Sequence, residues 1–293
     1  MTILLLICPI YNEAERVEKL IESLRFQTFQ DWEIVFGDNK SQDSSESIIS
    51  LASSLDSRIH LVSFEEHLPV TENFIRIFDV ATRLISTNYI GFVGGDDYFF
   101  NDDYFENMTM ELNAGKVMAI PSIVSCAEPL SVSRLNTKSS SIENQNLLCA
   151  DWSYVNAIYS VFESDLLKEL MEDKFSRPNA KLGFDWWFVY RAFALSKSQV
   201  IYVEKSLYYK FQKERTPAQV MQLRGPRILQ LIRHQLIPRD FARLSQKILL
   251  EFRWKGFLLK FIFMNFRKFI GIGPKAFCRV VFLLVVSKRP KDA

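Results

Sequence analysis

The chain has 293 residues, a formal net charge of +2 and apolar residues at 48% of its positions. This apolar content excludes wholesale disorder, and the length suffices for one large domain or for a domain with an appendage. The charge is uneven, because residues from Arg224 onward carry 16 Lys or Arg against three acids, which makes the tail +13 and residues 1–223 −11. We therefore expect an acidic body and a strongly basic tail.

Cysteine usage and hydropathy set further limits. Neither CxxC nor metal-ligand spacing occurs among the four cysteines, which are Cys8, Cys126, Cys149 and Cys278. We expect reduced thiols in a cytosolic compartment, without disulfides or a zinc site. The apolar opening MTILLLICPIYNE lacks a basic leader, so we expect no signal peptide. The best apolar run, 280–286, is far shorter than the roughly 20 residues of a spanning helix.

The first hundred residues alternate between apolar runs and amphipathic segments. The runs TILLLIC, WEIVFGD, RIHLVSF and YIGFVGG predict strands, and the segments between them predict helices over 15–27, 43–54 and 72–86. This alternation predicts βαβ units around a mainly parallel sheet. Ligands of such sheets bind at the carboxyl ends of the strands. The clusters PIYNE, GDNKSQD and GGDD, which follow three of the runs, are therefore expected along one edge.

The later part of the chain has a weaker pattern. KVMAIPSIVSC and QVIYVEK predict two more strands, and helices are predicted over 164–172 and 185–196. The Ser/Asn-rich stretch 131–146 predicts a surface loop over the crevice. A domain linker is first suggested at 212–218.

Two adjacent carboxylates, Asp96 and Asp97, end the run GFVGGDD. Such a pair suits Mg²⁺ or Mn²⁺ bridging a diphosphate, and the glycines before it allow a ligand to approach the backbone. Helix capping is the alternative, and NDDYFEN just beyond predicts a helix start at Asp102 or Asp103. These residues alone leave both explanations open.

Several spaced motifs in order resemble a known family. CPIYNEAERVEKLIESLRFQTFQDWEIVFGDNKSQDSS resembles the opening of family 2 inverting glycosyltransferases, with P-x-Y-N-E after the first strand and D-D/N-x-S-x-D after the second. YIGFVGGDD is similar to the D-x-D region of that family. The resemblance covers roughly residues 3–203. It implies a Rossmann-like α/β domain of the GT-A kind over 1–217, with a nucleotide-binding half (1–100) and an acceptor half (101–217).

The resemblance implies a nucleotide pocket at the ends of the first two strands. Pro9, Tyr11 and Glu13 would form part of it, with Tyr11 packing on the base. Asp38 would accept a hydrogen bond from a base N–H, a role that suits an ionised carboxylate. Asn39 stands where many members have a second Asp, and it retains the capacity to hydrogen-bond.

The resemblance also implies a divalent cation, Mn²⁺ or Mg²⁺, at the second acidic motif. Asp96 would contact ribose or support the metal, and Asp97 would ligate it. Gly94 stands where many members have another Asp, so the predicted metal site has one carboxylate fewer.

Structural explanations stay open for several of these residues. Tyr11 would also fit simple packing at the sheet edge, and Asp43 is better explained as an N-cap of the following helix than as a ligand. Asn73 would fit a place facing the pocket, and either Thr71 or Asn73 would equally fit as the cap of the next helix.

An inverting transfer needs a carboxylate that takes the proton of the acceptor hydroxyl. Asp185 in KLGFDWWFVYRAF resembles the catalytic base of the family, and N-capping of the helix after it is a compatible alternative. Asp151 is a second candidate base. Trp186 and Trp187 would suit either a sugar ring or the core.

Other catalytic motifs are not evident in the sequence. His60, His67 and His234 do not have the spacing of a triad or a metal cluster, and we assign them no chemistry. The chain contains neither G-x-x-x-x-G-K-[ST] nor G-x-G-x-x-G, which argues against a P-loop enzyme and a dinucleotide dehydrogenase.

The tail, residues 218–293, is predicted to be helical, basic and amphipathic. Aromatic and apolar residues recur at near-helical spacing, while Arg253, Lys260 and Arg267 share another face. Such a helix suits the interface of an anionic membrane. Packing of the tail on the acidic body is the alternative, and nucleic-acid binding is not expected because no recognised motif accompanies the charge.

These observations together predict an inverting, metal-dependent, hexosyltransferase-type enzyme. It would use a nucleotide-sugar donor and a glycan or lipid-linked acceptor, such as a polysaccharide precursor, at the cytosolic face of a membrane. One alternative is a non-catalytic, glycosyltransferase-like membrane adaptor, for which Gly94 and Asn39 would be signs of lost function. A nucleotidyltransferase is a further alternative, although it would be expected to have a Gly-rich basic loop after the first strand.

Overall fold

The structure is a computed structural model that describes residues 2–126, 157–172, 188–189, 192, 195–196 and 199–211. The chain divides into two compact units. The first comprises Met1–Ile142, Asn156–Glu172 and Ser198–Lys213 and holds all the described strands. The described residues between 188 and 196 belong to the second unit, where Phe188, Val189 and Ala192 are helical and buried.

Strands and helices alternate through the first unit. Its strands are β1 (Thr2–Ile10), β2 (Trp32–Asp38), β3 (Ile59–Ser63), β4 (Thr87–Phe92), β5 (Tyr98–Phe99), β6 (Met118–Cys126), β7 (Val161–Glu163) and β8 (Val200–Phe211). Its helices are α1 (Ala14–Arg25), α2 (Ser45–Leu55), α3 (Val70–Leu84), α4 (Tyr104–Asn113) and α5 (Ser164–Glu172).

The described strands form one eight-stranded sheet in the order β3-β2-β1-β4-β7-β6-β8-β5. In the first half, β1 pairs in parallel with β2 and β4, and β2 pairs in parallel with β3. The second half is mixed, because β7 runs antiparallel to β4 and β6, β8 runs parallel to β6, and β5 runs antiparallel to β8. The parallel half therefore directs three strand ends and their loops to the same edge.

The core explains why these segments adopt these elements. β1 is apolar on both faces, and its residues from Leu4 to Cys8 are all buried, as expected of a strand covered by helices on two sides. α1 buries a single stripe with helical spacing, formed by Val17, Leu20, Ile21 and Leu24. On the other side, α3 lies so close to β2 that a Cβ at Gly37 would be 2.5 Å from Ile77 Cδ1.

The predicted α/β architecture is confirmed, and the predicted strands and helices of the first hundred residues agree with the structure to within a few residues. The helix start predicted at Asp102 or Asp103 is also confirmed, because α4 begins at Tyr104 with Asp103 at its N-cap position. The prediction missed β5 and β7. Strands of two and three residues are too short to show a two-residue period.

Several predictions fall on residues that the structure does not describe. These are the loop over 131–146, most of the helix over 185–196, the domain boundary near 217 and the basic tail over 218–293. Among the helices of the described ranges, none combines the length and the apolar character needed to cross a bilayer.

Candidate active site at the carboxyl edge of the sheet

The loops after β1 and β2 are joined by side-chain hydrogen bonds. The Asn12 amide donates to Ser41 Oγ at 3.0 Å, and the Gln42 amide donates to Asn12 Oδ1 at 2.8 Å. Asn12 has φ 55°, a left-handed conformation that asparagine tolerates better than most residues. Lys40 adopts the same conformation with φ 64°, at a cost that a glycine would avoid. Both loops are thus held in place.

Asp43 stabilises the starts of two helices. Its Oδ1 accepts hydrogen bonds from the backbone amide and the hydroxyl of Ser45, the first residue of α2. Its Oδ2 accepts from the amide of Ala14, the first residue of α1, at 3.0 Å. Desolvation opposes ionisation, but the hydrogen bonds from Ser45 and Ala14 together outweigh it and lower the pKa of Asp43. The predicted N-cap position is off by one residue, because Ser44 stands at the N-cap position of α2, while Asp43 bonds the first residues of both helices from the residue before it.

Asp38 is a buried carboxylate, and only one of its two oxygens accepts a hydrogen bond from the described residues. It ends β2 opposite Ile10 and is only 1% exposed. Its Oδ2 accepts from the Ser41 amide at 2.9 Å, whereas its Oδ1 has no hydrogen-bond partner among the described residues. Because a buried acceptor without a donor is costly, Asp38 Oδ1 is suited to a donor supplied by a ligand.

Tyr11 follows Ile10 and is 41% exposed. Its ring contacts the imidazole of His67, with ring centroids 4.3 Å apart and planes inclined by 48°. His67 Nδ1 lies 3.0 Å from the backbone carbonyl of Asn39, which immediately follows Asp38. The aromatic ring therefore lies close to the buried carboxylate at the carboxyl edge of the sheet, and His67 joins them as a residue that the sequence did not indicate.

The side chain of Asn39 is directed into the protein. It is 3% exposed, and its Oδ1 accepts from the Leu68 amide at 2.9 Å and from Arg76 Nη2 at 2.8 Å, while its Nδ2 donates to the Leu68 carbonyl at 2.9 Å. Arg76 Nη2 also donates to Asn73 Oδ1 at 2.8 Å, and the guanidinium lies 3.6 Å above the Phe64 ring. Asn39 thus fastens the loop after β3 to the end of β2. The prediction that it contacts the nucleotide stays a prediction.

The helix start at α3 corrects one earlier expectation. α3 begins at Val70 with Pro69 at its N-cap position, so Thr71 and Asn73 lie inside the helix and do not cap it. Asn73 is buried, and its amide oxygen serves Arg76. The sequence did not indicate a role for Arg76, because an arginine on a helix that also carries acidic residues is usually predicted to face solvent.

Pro9, Glu13 and the acidic turn meet at the end of β1. Pro9 lies in β1 opposite Gly37 of β2. A Cβ at Gly95 would be 2.4 Å from Ile10 Cδ1 and 3.3 Å from Glu13 Cγ, so the turn lies directly against the P-x-Y-N-E segment. Burial, followed by the charges of Asp97, Asp96 and Glu13, raises the pKa of the Cys8 thiol. The carboxylates of Asp97, Asp96 and Glu13 therefore all lie near enough to Cys8 to act on its thiol.

Asp96 and Asp97 have different environments. Asp97 is 2% exposed, and its oxygens accept from the Tyr208 hydroxyl at 2.7 Å and the Phe211 amide at 2.8 Å. Asp96 is half-buried, and its carboxylate accepts no hydrogen bond from the described residues. Burial, and then the charge of Asp96, raises the pKa of Asp97 to about 7, although the bonds from Tyr208 and Phe211 act in the opposite direction.

The acidic turn fits a divalent cation that has few protein ligands. A Cβ at Gly94 would lie 2.5 Å from Asp97 Oδ2 and 3.2 Å from Asp96 Oδ1, so both carboxylates face the space left by the missing side chain. The described residues contain no group of three or more His, Cys, Asp or Glu arranged to hold a metal alone. Two carboxylates facing one space suit Mg²⁺ or Mn²⁺, which accept one or two carboxylates plus phosphate oxygens and water.

The structure thus brings together seven of the eight predicted site residues at one edge of the sheet. They are Pro9, Tyr11, Glu13, Asp38, Asn39, Asp96 and Asp97. Asp185, the predicted base, lies outside the described residues, as do Asp151, Trp186 and Trp187. The ligand-binding roles of all eight stay predictions.

Comparisons with known proteins agree with this architecture. The model of "Glycosyl transferase family 2" matches residues 5–196. The glycosyltransferase GlyA of Streptococcus pneumoniae is 26% identical over 223 residues, which are 71% of this chain and 30% of GlyA. The chain thus spans less than a third of the length of that relative.

Solved structures of S. aureus TarS have the same fold. One crystal structure of TarS superposes with a TM-score of 0.61 over 86% of this chain and 39% of TarS, at 17% identity. TarS 1–349 in complex with UDP-GlcNAc gives a TM-score of 0.60 over 86% of this chain and 66% of that one, also at 17% identity.

The acidic turn and the two hydrogen-bonded loops lie at the carboxyl edge of a mixed sheet that superposes on TarS. The protein has the GT-A fold. The family model covers well over half of the sequence. The chain belongs to glycosyl transferase family 2.

Proposed function

We propose that this chain transfers a sugar from a nucleotide-sugar donor to an acceptor hydroxyl, with inversion at the anomeric carbon. One observation carries the proposal: the buried Asp38 Oδ1, which has no partner among the described residues, lies at the same edge of the sheet as the exposed Tyr11 ring and the acidic turn. These groups offer an acceptor for a base, a flat apolar face and carboxylates near a diphosphate. Family membership supports the same assignment.

The base end of the donor would bind at the ends of β1 and β2. An N–H of the base would donate to Asp38 Oδ1, and the ring would pack on Tyr11. TarS 1–349 was crystallised with UDP-GlcNAc and with UDP, so uracil is the first base to test here. The Ser41 amide and the His67 contact would hold Asp38 and Tyr11 in place before the donor arrives.

The diphosphate end would lie at the acidic turn. Asp96 has the less buried carboxylate of the two, and Asp97 stands beside it as the other predicted ligand of Mn²⁺ or Mg²⁺. A bound cation would supply compensation for the negative charge of the diphosphate. Carbonyl and amide groups of the glycine-rich turn would lie close to the donor because Gly94 and Gly95 carry no side chains.

The reaction would be a single in-line displacement. The acceptor oxygen forms the new bond to the anomeric carbon on the face opposite the diphosphate, the bond to the diphosphate oxygen breaks, and its electron pair leaves with the diphosphate. Asp185 would take the proton from the acceptor hydroxyl. The sequence predicts a helix that starts at Asp185, and a side chain at such a position would be held firmly, which favours that role.

The acceptor would be a glycan or a lipid-linked saccharide such as a polysaccharide precursor. The charge of +13 from residue 224 onward supports contact with an anionic membrane, which would place the chain peripherally on the cytoplasmic face. Binding to vesicles with and without anionic lipid tests this part, and equal binding to both would remove the membrane from the proposal.

Nucleotide binding is the first test of the activity. Calorimetric titrations with UDP, GDP and dTDP, each with and without Mn²⁺, would compare the parent chain with Asp38→Asn, in which an amide replaces the unpartnered acceptor. We expect binding of one nucleotide that strengthens with Mn²⁺ and weakens at least tenfold in the variant. Asp79→Asn, the same change on the exposed face of α3, is the matched control and should bind as the parent does.

Turnover is the second test. Release of nucleoside diphosphate from the corresponding nucleotide-sugar, by transfer or slow hydrolysis, should be measurable in the parent and lost in Asp185→Asn. Binding without any turnover would favour a non-catalytic adaptor. Failure of every nucleotide to bind would reject the proposed function as a whole.

A further inference from the structure

The buried Tyr208 hydroxyl connects both ends of the acidic turn. Tyr208 lies on β8, 111 residues beyond Asp97, and is 0% exposed. Its Oη accepts a hydrogen bond from the Gly94 amide at 3.0 Å and donates one to Asp97 Oδ2 at 2.7 Å. A single group thus holds the first and last residues of the turn.

Neighbouring groups fix the position of that hydroxyl. The Tyr208 ring is stacked on Tyr159, with centroids 4.8 Å apart and planes inclined by 22°. Three residues further along β8, the Phe211 amide donates to the other oxygen of Asp97 at 2.8 Å, and the Phe211 ring lies 3.9 Å below the Arg16 guanidinium. The end of β8 therefore supports the turn through both Tyr208 and Phe211.

This support bears directly on Asp96. Asp96 lies inside the turn, and its own carboxylate accepts no hydrogen bond from the described residues, so the direction of that carboxylate depends on the backbone of the turn. The hydroxyl could not be replaced by bulk water, because Asp97 is almost fully buried. A small shift of the turn would move the carboxylate that faces the donor, and displacements of this size strongly affect binding and catalysis.

We propose that Tyr208 is a positioning residue for donor binding, which holds the Gly94–Asp97 turn so that the carboxylate of Asp96 faces the metal and diphosphate of the nucleotide-sugar. This inference rests on the proposed function and assigns it a residue outside the family motifs. Tyr208 does not touch the donor. It acts through the hydrogen bonds to Gly94 and Asp97.

The test compares two parts of the same ligand. Tyr208→Phe removes the hydroxyl and keeps the stacked ring. In calorimetric titrations with UDP and Mn²⁺, or with whichever nucleoside diphosphate the parent binds, we expect the affinity to fall at least tenfold. The affinity for the free nucleoside, measured by ligand-observed NMR, should stay within twofold, because the Asp38 pocket does not depend on Tyr208. A purely structural role would weaken both ligands together.

A matched control is available in the same sheet. Tyr89→Phe removes a hydroxyl that donates to Asn113 Oδ1 at 2.7 Å, a bond that does not involve the turn. We expect this variant to bind the nucleoside diphosphate as tightly as the parent. Gly94→Ala provides a second perturbation, since its Cβ would displace the Asp97 carboxylate away from Tyr208, and it should show the same selective loss.

The outcomes separate the two proposals. If the parent binds no nucleoside diphosphate, the proposed function fails and the role of Tyr208 fails with it. If the parent binds and Tyr208→Phe binds equally well, only the positioning role is overturned. An equal loss of nucleoside and diphosphate affinity in both Tyr208→Phe and Gly94→Ala, or unfolding of Tyr208→Phe together with parent-like binding by Gly94→Ala, would likewise overturn it.

Discussion

The parallel half of the sheet, β3-β2-β1-β4, and the mixed half, β7-β6-β8-β5, support the site in different ways. In the parallel half the loops hold one another over short separations, as in the bond between Asn12 and Ser41, 29 residues apart. In the mixed half, β8 reaches back more than a hundred residues to Asp97. The proposed base-binding end is therefore built from neighbouring βα units, whereas the geometry of the acidic turn depends on a distant strand.

The largest effect that would test this comparison concerns the pH dependence of Asp97. With its pKa raised to about 7, this carboxyl keeps its proton in the native chain to a higher pH than in the unfolded chain. Its contribution to stability is therefore full below about pH 4 and is lost as pH rises through about 7, at up to about 1.4 kcal/mol per pH unit. Over this window the parent should lose roughly 3–4 kcal/mol relative to Asp97→Asn.

Urea unfolding from pH 4.5 to 7.5 without divalent cations measures this difference. Asp79→Asn, an exposed change of the same kind, should follow the parent at every pH. Equal pH slopes for the parent and Asp97→Asn would show that the mixed half does not bury this carboxyl.

In the parallel half, the closest packing lies between β2 and α3. Gly37→Ala would place a Cβ 2.5–3.1 Å from three atoms of Ile77, and we expect it to destabilise the chain by about 2 kcal/mol. In the Gly37→Ala background, Ile77→Ala should cost less than it does in the parent, because it relieves this contact. Urea unfolding of the parent, the two single variants and the double variant measures these losses of unfolding free energy. If the losses of the single variants simply add in the double variant, α3 does not pack against Gly37 as described.

Arg76 tests the bond between the loops of the parallel half. Arg76→Ala removes charged hydrogen bonds to Asn39 and Asn73 together with the contact over Phe64, and we expect a loss of about 1–2 kcal/mol in unfolding free energy. Nucleoside affinity should fall as well, because Asn39 adjoins Asp38. Arg83→Ala, on the same helix but exposed, should change stability by less than about 0.5 kcal/mol. If Arg76→Ala unfolds with the same free energy as the parent, the hydrogen bonds of Arg76 to Asn39 and Asn73 do not stabilise these loops.

The smallest expected effect is a gain. Lys40 adopts φ 64° in the loop after β2. Lys40→Gly should raise the free energy of unfolding by about 0.5–1 kcal/mol, since glycine adopts this conformation without strain. Lys40→Ala, which keeps a Cβ, is the control and should show little of this gain. No gain with glycine in thermal unfolding would mean that the loop relaxes around Lys40 at no cost.

The sequence predicted the parallel half well, for reasons that particular residues illustrate. The run 32–38 is apolar and bounded by polar residues, and β2 has those bounds. Asp38 follows from its place at the end of that run, and the role in a nucleotide pocket that the family resemblance implies for it stays a prediction. By contrast, Asn39 looked available to a ligand, whereas its amide serves Leu68 and Arg76, which lie in a later loop and helix.

Tyr208 illustrates the limit of sequence reading in the mixed half. In the segment SLYYKF the pattern distinguishes only the alternating faces of a strand, and a tyrosine there is typical of any core. Its two partners, Gly94 and Asp97, belong to a turn that precedes α4 in the sequence, more than 100 residues before Tyr208. The sequence offers no signal that pairs these positions.

The sequence by itself determined the alternation of strands and helices, the edge at which the polar motifs gather and the family to which they are similar. Only the tertiary structure decided that Asp97 is buried against β8 while Asp96 stays half-buried, and that Asn39 faces inward. The physical reason is that hydrophobic periodicity records how each side chain points relative to its own element. Hydrogen bonds between distant segments depend on the order of strands in the sheet, which local periodicity does not contain.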